Sequence, residues 1–381
     1  MTLNWPIIML CAVGISILLT SVLIPQILHV SLAKRLFDRP AQRKIHHGVV
    51  PRLGGFAFLP VLLVTAGIVL VMPANYVENS SIVMSPDFIR CLPDIIVLVA
   101  AMMIMFLTGL YDDLLSLKYG VKFLSQLIAA VLLVEAGEYI VDYDHLFGIG
   151  TTTVAMGKII TGFLIVYIVN ALNLIDGIDG LASGLCVVTL CFFGWMLFAA
   201  HLFMFSLLSW VGAASMAVFW VFNVFGSKRR HTKIFMGDVG SLSVGIFVAF
   251  LAITVARQNP GESLWAEPPF LLAMSPLVLP LFDVVRVFCV RIINHKSPFL
   301  PDKRHIHHLM LDTGISMRGA MCLLILGQIC VLALNLWLAE YWSINWILIL
   351  DAGIYILWVL AVSLSSKDKP KKANKKAKRI R

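Results

Sequence analysis

Residues 170–184 (NALNLIDGIDGLASG) bring two amides, Asn170 and Asn173, and two carboxylates, Asp176 and Asp179, close together between two apolar runs, 159–169 and 185–200. Carboxylates within membrane-embedded sequence are costly and are functional candidates by default. If the segment is helical, Asn170, Asn173 and Asp176 are three apart and share a face, with Asp179 one step further along. Such an oxygen-rich ridge suits a hard cation, or the hydroxyls and amides of a substrate. Gly177, Gly180 and Gly184 permit close approach of the backbone to a ligand. Taken alone, the same residues also read as a polar loop between two helices.

Four more polar clusters carry chemistry. Asp112 and Asp113 stand where an apolar helix runs out. Adjacent helical side chains point in different directions, so one could bind a metal or order a lysine while the other acts as a base; a solvated helix end is the competing reading. Lys122 follows at the start of the next helix, suited to neutralise a phosphate or to hold an aspartate ionised. Asp238, in KIFMGDVGS (233–241), sits among small residues at a helix start, where it reads as a cap or as a ligand of a divalent cation. His305, His307 and His308 follow Lys303 and Arg304 in SPFLPDKRHIHHL (297–309). Without a nearby cysteine or an HExxH spacing they favour phosphate or pyrophosphate recognition over zinc. The fifth cluster, DRPAQRKIHHGVVPRLGG (38–55), supplies Lys44. Together these residue types describe magnesium-dependent phosphoryl chemistry between an anionic soluble donor and a lipid acceptor, with cations neutralising diphosphate charge and a base activating the attacking oxygen.

The elements that must hold these residues are membrane helices. Apolar residues make up 60% of the 381-residue chain and charged ones 13%, about half the charged share of a soluble domain. Apolar runs predict about eleven spans, near 6–30, 54–72, 94–111, 121–137, 157–172, 181–199, 205–224, 240–256, 269–290, 320–339 and 343–363, in an all-α polytopic membrane protein. The first run has neither a basic leader nor a small-residue cleavage site and reads as a retained helix. One integrated domain over 1–366 precedes a basic tail, 367–381, expected to be disordered and to rest on anionic headgroups. With the amino terminus outside and the carboxyl terminus inside, every lysine and arginine except Arg90, Lys158 and Arg257 falls on the inner side. The net charge of +9 is therefore mostly a topology signal, not one for nucleic acid. All five polar clusters fall on that same inner side, which predicts one composite cytoplasmic-face site. The seven cysteines show no paired spacing and predict neither a disulfide framework nor a thiolate metal site.

DRPAQRKIHHGVVPRLGG, GLYDD, NALNLIDGIDGLASG, KIFMGDVGS and SPFLPDKRHIHHL resemble the motifs of the polyprenyl-phosphate N-acetylhexosamine-1-phosphate transferase family, over nearly the whole of 38–309. The HIHH form after SPF-x-PD is most similar to the bacterial branch that starts O-antigen and common-antigen synthesis; the peptidoglycan translocase branch has three consecutive histidines instead. The resemblance implies transfer of GlcNAc-1-phosphate from UDP-GlcNAc to undecaprenyl phosphate, with release of UMP, at the cytoplasmic face of a bacterial inner membrane. It implies Mg2+ as cofactor, with Mn2+ as a substitute. The implied partners are the two substrates, the bilayer and, as an option, a second copy of the chain. Carried over by motif, Asp112 is the base for the lipid phosphate with Asp113 beside it, and Asp238 is the magnesium ligand, with Asp112 and Asp176 in reach of the metal. Asn173, Asp176 and Asp179 line the metal and nucleotide site, and Phe235 stacks on uracil. Lys122 fits a K-x-x-x-Q pattern with Gln126, and His305, His307 and His308 contact the diphosphate or sugar. Asn170, Lys44 and Arg304 complete the substrate-binding set. Direct attack and a covalent intermediate both fit this pattern. The pattern departs from the gram-positive relatives in the longer, more basic segment from Asn223 to Lys233, which sets Asn223 outside the residues carried over. It departs again at His47, which stands where the translocase has a lysine.

Three other readings compete. Another UDP-amino-sugar donor would be distinguished in the 292–309 loop. A magnesium transporter would place its ionisable residues near the bilayer midplane in repeated halves; here the acids gather at one end, and only Asp283 and Asp351 lie within apolar runs. Asp283 is spaced to pair with Arg286 at i+3, whereas Asp351 has no partner evident in the sequence. A structural scaffold would need no carboxylate cluster.

Overall fold

The computed structural model describes residues 4–34, 50–76, 86–227, 231–258, 268–295 and 304–367. Lys44 and the rest of 35–49, residues 296–303 and the tail 368–381 lie outside them. The helices in chain order are α1 (Trp5–Ala33), α2 (Phe58–Tyr76), α3 (Pro86–Leu115), α4 (Tyr119–Glu135), α5 (Val154–Ile175), α6 (Leu181–Ala199), α7 (Phe203–Phe225), α8 (Gly237–Ala256), α9 (Pro269–Met274), α10 (Val278–Ile293), α11 (Ile306–Asp312), α12 (Met317–Leu338) and α13 (Ile344–Lys367). Each of the eleven apolar runs falls on helix. Among the described residues, nine helices are long and apolar enough to cross a membrane. The other two runs differ from the simple expectation. α4 has 17 residues, and the run near 269–290 is broken by a 3-10 turn, Ser275–Leu277, containing Pro276, which has no N–H to continue the ladder.

α8 is the axis of the bundle. Every residue of its apolar window is buried, as expected of a helix that is hydrophobic all round. It is flanked by α3, α5, α6 and α9 and by the 3-10 turn Leu53–Ala57 that leads into α2. Between helices in lipid the hydrophobic effect supplies little, so small residues and close van der Waals contact do the holding. A Cβ on Gly55 would lie 2.0 Å from Gly240 Cα, and one on Gly109 in α3 would lie 2.5 Å from the Asp238 carbonyl oxygen and from Val239 Cα. Aromatic edges fill the next layer: Phe247 meets Phe58 and Phe250 meets Phe205, each with ring centroids 5.6 Å apart.

A two-stranded antiparallel hairpin, β1 (Asp142–Leu146) and β2 (Ile149–Thr151), joins α4 to α5 and was not predicted. It marks the end of the bundle opposite the polar clusters, since the 22 residues of α5 separate the two by roughly 33 Å. Asp144 Oδ2 accepts the Phe270 N–H at the start of α9 (2.8 Å), and Asn345 Oδ1 at the start of α13 accepts the Phe147 N–H (2.6 Å). Asp351, for which the sequence offered no partner, accepts a hydrogen bond from Asn335 Nδ2 of α12 (2.9 Å). Asn335 also donates to Ser275 Oγ at the break between α9 and α10 (3.2 Å). Asp351 is thus part of a polar tie holding α12 and α13 to the broken helix.

Because backbone atoms face Gly55, Gly55→Ala forces the turn and α8 apart. Overpacking of this kind costs about 1–3 kcal/mol. Gly67, with nothing within 4 Å of its would-be Cβ, is the control. Thermal unfolding in detergent is expected to show a lowered midpoint for Gly55→Ala and an unchanged or raised one for Gly67→Ala.

Candidate active site

The clusters meet where the carboxyl ends of α3, α5 and α7 face the amino ends of α4, α6 and α8. Asp113, in the last turn of α3, accepts the N–H groups of Asp238 and Val239, one on each carboxylate oxygen, both at 3.0 Å. These amides open α8 and have no intrahelical partner. The cap of α8 is therefore Asp113, a residue distant in sequence, and not Asp238. Gly237, at φ +71, turns the chain into α8; a Cβ there would lie 2.1 Å from the Arg52 carbonyl oxygen and 2.5 Å from Asp113 Oδ2.

The Asp238 side chain is thereby left to the cleft. Its Oδ1 accepts from Asn173 Nδ2 (2.7 Å) and lies 3.2 Å from Lys122 Nζ. Lys122 Nζ also donates to Asp112 Oδ2 (2.8 Å), so one ammonium bridges two carboxylates. Asp112 Oδ1 accepts the Leu117 N–H (2.6 Å), which closes the α3–α4 turn, and Asn173 Nδ2 reaches Ser241 Oγ (2.7 Å). Asn170 sits one turn earlier on α5. It faces α4, where it exchanges hydrogen bonds with Gln126 (2.7 and 3.4 Å), and stays out of the carboxylate cluster.

The expected helical ridge holds only for Asn170 and Asn173. α5 ends at Ile175, and Asp176 is its cap residue with a non-helical ψ of 53°. Gly180, at φ +78, completes the turn into α6. Burial in the cleft, and after it the charges of Asp238, Asp113 and Asp179, push the Asp176 carboxyl up to about 7. Asp179 pairs with Lys233. Asn223 of α7 ties the same turn to the strand-like segment before α8: its Oδ1 accepts the Gly180 N–H (2.5 Å) and its Nδ2 donates to the Ile234 carbonyl (2.8 Å). Phe235 is half-buried in that segment, which pairs with the chain before α2 through Phe235 N–H to Pro51 O (2.8 Å) and Gly54 N–H to Phe235 O (2.9 Å).

The histidines arrive from the other side. His305 precedes α11, His307 and His308 lie in its first turn, and Arg304 stands just before them with its carbonyl held by Arg286. A Cβ at Gly177 would lie 2.0 Å from His307 Nε2, so the histidine motif backs directly onto the Asp176–Asp179 turn. His307 is buried with neither ring nitrogen hydrogen-bonded among the described residues. Burial, and then the neighbouring His308 and His305, hold its imidazole down to about 3, so it is neutral at physiological pH. Lys44 is the one predicted site residue outside the described residues.

Lys233, Ser241 and Asn223 were not in the predicted site. Lys233 and Ser241 bound the KIFMGDVGS motif, and that was their only signal. The capping role of Asp113 had none, because its partners are 125 and 126 positions away.

The His307 shift has a signed consequence. Its folded-state value lies below the ordinary 6.5, so the unfolded chain binds more protons between pH 6.5 and about 3. Stability contributed by the neutral imidazole is present above that window and is lost as pH falls through it. The unfolding midpoint of the wild type is expected to drop on acidification below pH 6.5, and His307→Leu is expected to flatten that slope. An equal slope in both proteins, read by thermal unfolding at a series of pH values, would count against it.

The profile of glycosyl transferase family 4 matches residues 95–256, which run from α3 through α8 and carry the carboxylates. The undecaprenyl-phosphate alpha-N-acetylglucosaminyl 1-phosphate transferase of Yersinia pestis is 29% identical over 300 residues, covering 77% of this chain and 74% of that protein. A probable undecaprenyl-phosphate N-acetylglucosaminyl 1-phosphate transferase of Bacillus subtilis is 30% identical over 320 residues, covering 82% and 80%. The decaprenyl-phosphate N-acetylglucosaminephosphotransferase of Mycobacterium leprae is 32% identical over 304 residues, covering 75% and 73%. With the helices, the carboxylate cluster and the histidine motif arranged in this order, the chain belongs to glycosyl transferase family 4, among the polyprenyl-phosphate N-acetylhexosamine-1-phosphate transferases.

Proposed function

We propose that this protein transfers GlcNAc-1-phosphate from UDP-GlcNAc to undecaprenyl phosphate at the cytoplasmic face of a bacterial inner membrane, the step that starts an O-antigen or common-antigen type polysaccharide. The observation that carries the reading is the bridge Asp112–Lys122–Asp238, built at the partly exposed start of the otherwise buried helix α8, where a lipid phosphate and a soluble nucleotide can both arrive. The names of the relatives support the acceptor and the sugar. The basic residues of the loops at this end support a cytoplasmic orientation.

In this reading an oxygen of the lipid phosphate attacks the sugar-bearing phosphorus of UDP-GlcNAc. A new P–O bond forms, the diphosphate bridge breaks, and UMP leaves with the electron pair. Asp112 takes the proton of a protonated attacking phosphate, and Lys122 bridges Asp112 to Asp238. Asn173 orients Asp238, and Asp113 fixes the start of α8 on which Asp238 stands. The donor set fits a hard cation: it is all oxygen and holds more carboxylates than ammonium groups. Among the described residues no group of three or more His, Cys, Asp or Glu side chains is placed to hold a metal ion by itself, so substrate oxygens and water would have to supply most of the ligands. Asp238, Asp112 and Asp176 would hold Mg2+ or Mn2+, which when bound supplies neutralisation of the diphosphate charge. Phe235 stacks on the uracil, and the histidines with Arg304 face the diphosphate and sugar.

Purified protein given undecaprenyl phosphate and magnesium is expected to release UMP from UDP-GlcNAc, and to stop on addition of EDTA. A panel of UDP-sugars tests the donor: release with a different UDP-amino sugar alone would change the substrate and keep the family. Asp112→Asn is expected to lower turnover by about 10²–10⁴-fold, the range for loss of a general base. Asp238→Asn is expected to abolish turnover. Both variants should stay monodisperse in detergent, and full activity in either removes that residue from the mechanism.

A further inference from the structure

One carboxylate outside the cleft gathers four polar partners. Asp283, in α10, is 0% exposed. Its Oδ1 accepts from the Ile306 N–H (2.9 Å), Arg286 (2.9 Å) and the Tyr355 hydroxyl (2.8 Å), and its Oδ2 lies 2.7 Å from His305 Nδ1. Arg286 also donates to Tyr355 Oη (3.1 Å) and to the Arg304 carbonyl. Three separate parts of the chain, α10, α13 and the start of α11, are thus pinned at one point.

We propose that Asp283 is the positioning residue of the histidine motif: it sets the place and tautomer of His305, and through it the register of His307 against Gly177, for a nucleoside-diphosphate sugar. This rests on the transferase reading above. The chain of contact is continuous. The His305 and His307 rings are parallel, with centroids 5.7 Å apart and planes 6° from each other, and the His307 and His308 centroids are 4.3 Å apart. His307 in turn meets Gly177, beside Asp176.

Two physical arguments favour positioning over simple bracing. A fully buried ion pair is a poor way to add stability, because desolvation offsets much of the attraction, and apolar residues of similar volume would hold three helices as well. A carboxylate on Nδ1 also does something apolar packing cannot. It keeps the hydrogen on that nitrogen and aims Nε2 the other way. Tyr355 extends this control to α13, which packs against α10 and α11.

The test is donor and acceptor kinetics of UMP release for the wild type, Asp283→Asn, Asp283→Glu and Tyr355→Phe in detergent. Asp283→Asn is expected to raise the KM for UDP-GlcNAc by about 10–100-fold, the range for loss of a group that orients a ligating histidine. The KM for undecaprenyl phosphate should stay within twofold. Asp283→Glu, which keeps the charge, should recover part of the loss. A folded Asp283→Asn protein with unchanged donor KM, or with both KM values raised alike, overturns the proposal. If Asp283→Asn does not fold, Tyr355→Phe decides: a selective rise in donor KM of about threefold or more supports positioning, and an unchanged donor KM overturns it. Wild-type protein that releases no UMP from any UDP-sugar overturns the transferase reading itself, a result separate from any variant's.

Discussion

The open amides at the start of α8 are the constraint on which the rest of the structure depends. α8 is buried from Val239 onward, its first N–H groups have no partner within the helix, and a buried amide left unpaired costs about 1–3 kcal/mol. Asp113 meets the demand with both oxygens. The carboxyl end of α3 is thereby locked to the amino end of α8, and Gly109 lets the two backbones come close enough for the bonds to form. A carboxylate placed to satisfy a helix also fixes its neighbour in sequence. Asp112, pointing elsewhere on α3, is carried to the Lys122 ammonium, and that ammonium reaches Asp238. The cap and the candidate reaction centre are two outputs of one helix end.

Close packing transmits this arrangement. The turn before α2 is seated on α8 through Gly55 and Gly240, and its backbone pairs with the segment carrying Phe235. Asn223 ties that same segment to the turn of Asp176 and Asp179. The cleft is therefore framed by backbone hydrogen bonds and glycine contacts as much as by the side chains that face it. Sites held this way lose little geometry to side-chain motion, which suits electrostatic stabilisation by groups already in place.

The second half of the chain contributes from a separate anchor. α10, broken from α9 at Pro276, delivers Asp283 to the histidine motif, and α13 delivers Tyr355 to the same carboxylate. The profile of the family ends at residue 256, before this anchor begins. The carboxylate cleft and the histidine support lie on different elements, and they are joined where the Tyr167 hydroxyl of α5 donates to the Leu281 carbonyl of α10 and where His307 meets Gly177.

Sequence alone determined the class of the protein and the end of the bundle at which its polar clusters gather. Helix period, span length and the run of basic residues are local properties, and each polar cluster abuts an apolar run whose direction follows from counting spans. Motif spacing placed Asp112, Lys122, Asn173 and Asp238 in one expectation, and the structure brings those four together. Sequence also paired Asp283 with Arg286, since i and i+3 are neighbours on any helix. Tertiary structure decided which polar groups satisfy which. It gave the cap of α8 to Asp113, ended α5 before Asp176, turned Asn170 toward Gln126, matched Asp351 to Asn335 and brought Tyr355 to Asp283. None of these was legible beforehand: the end of α5 follows from the turn the bundle imposes, and the other four join residues on different elements. A buried polar atom takes whatever partner the packed bundle brings within 3 Å, and no local pattern encodes that choice.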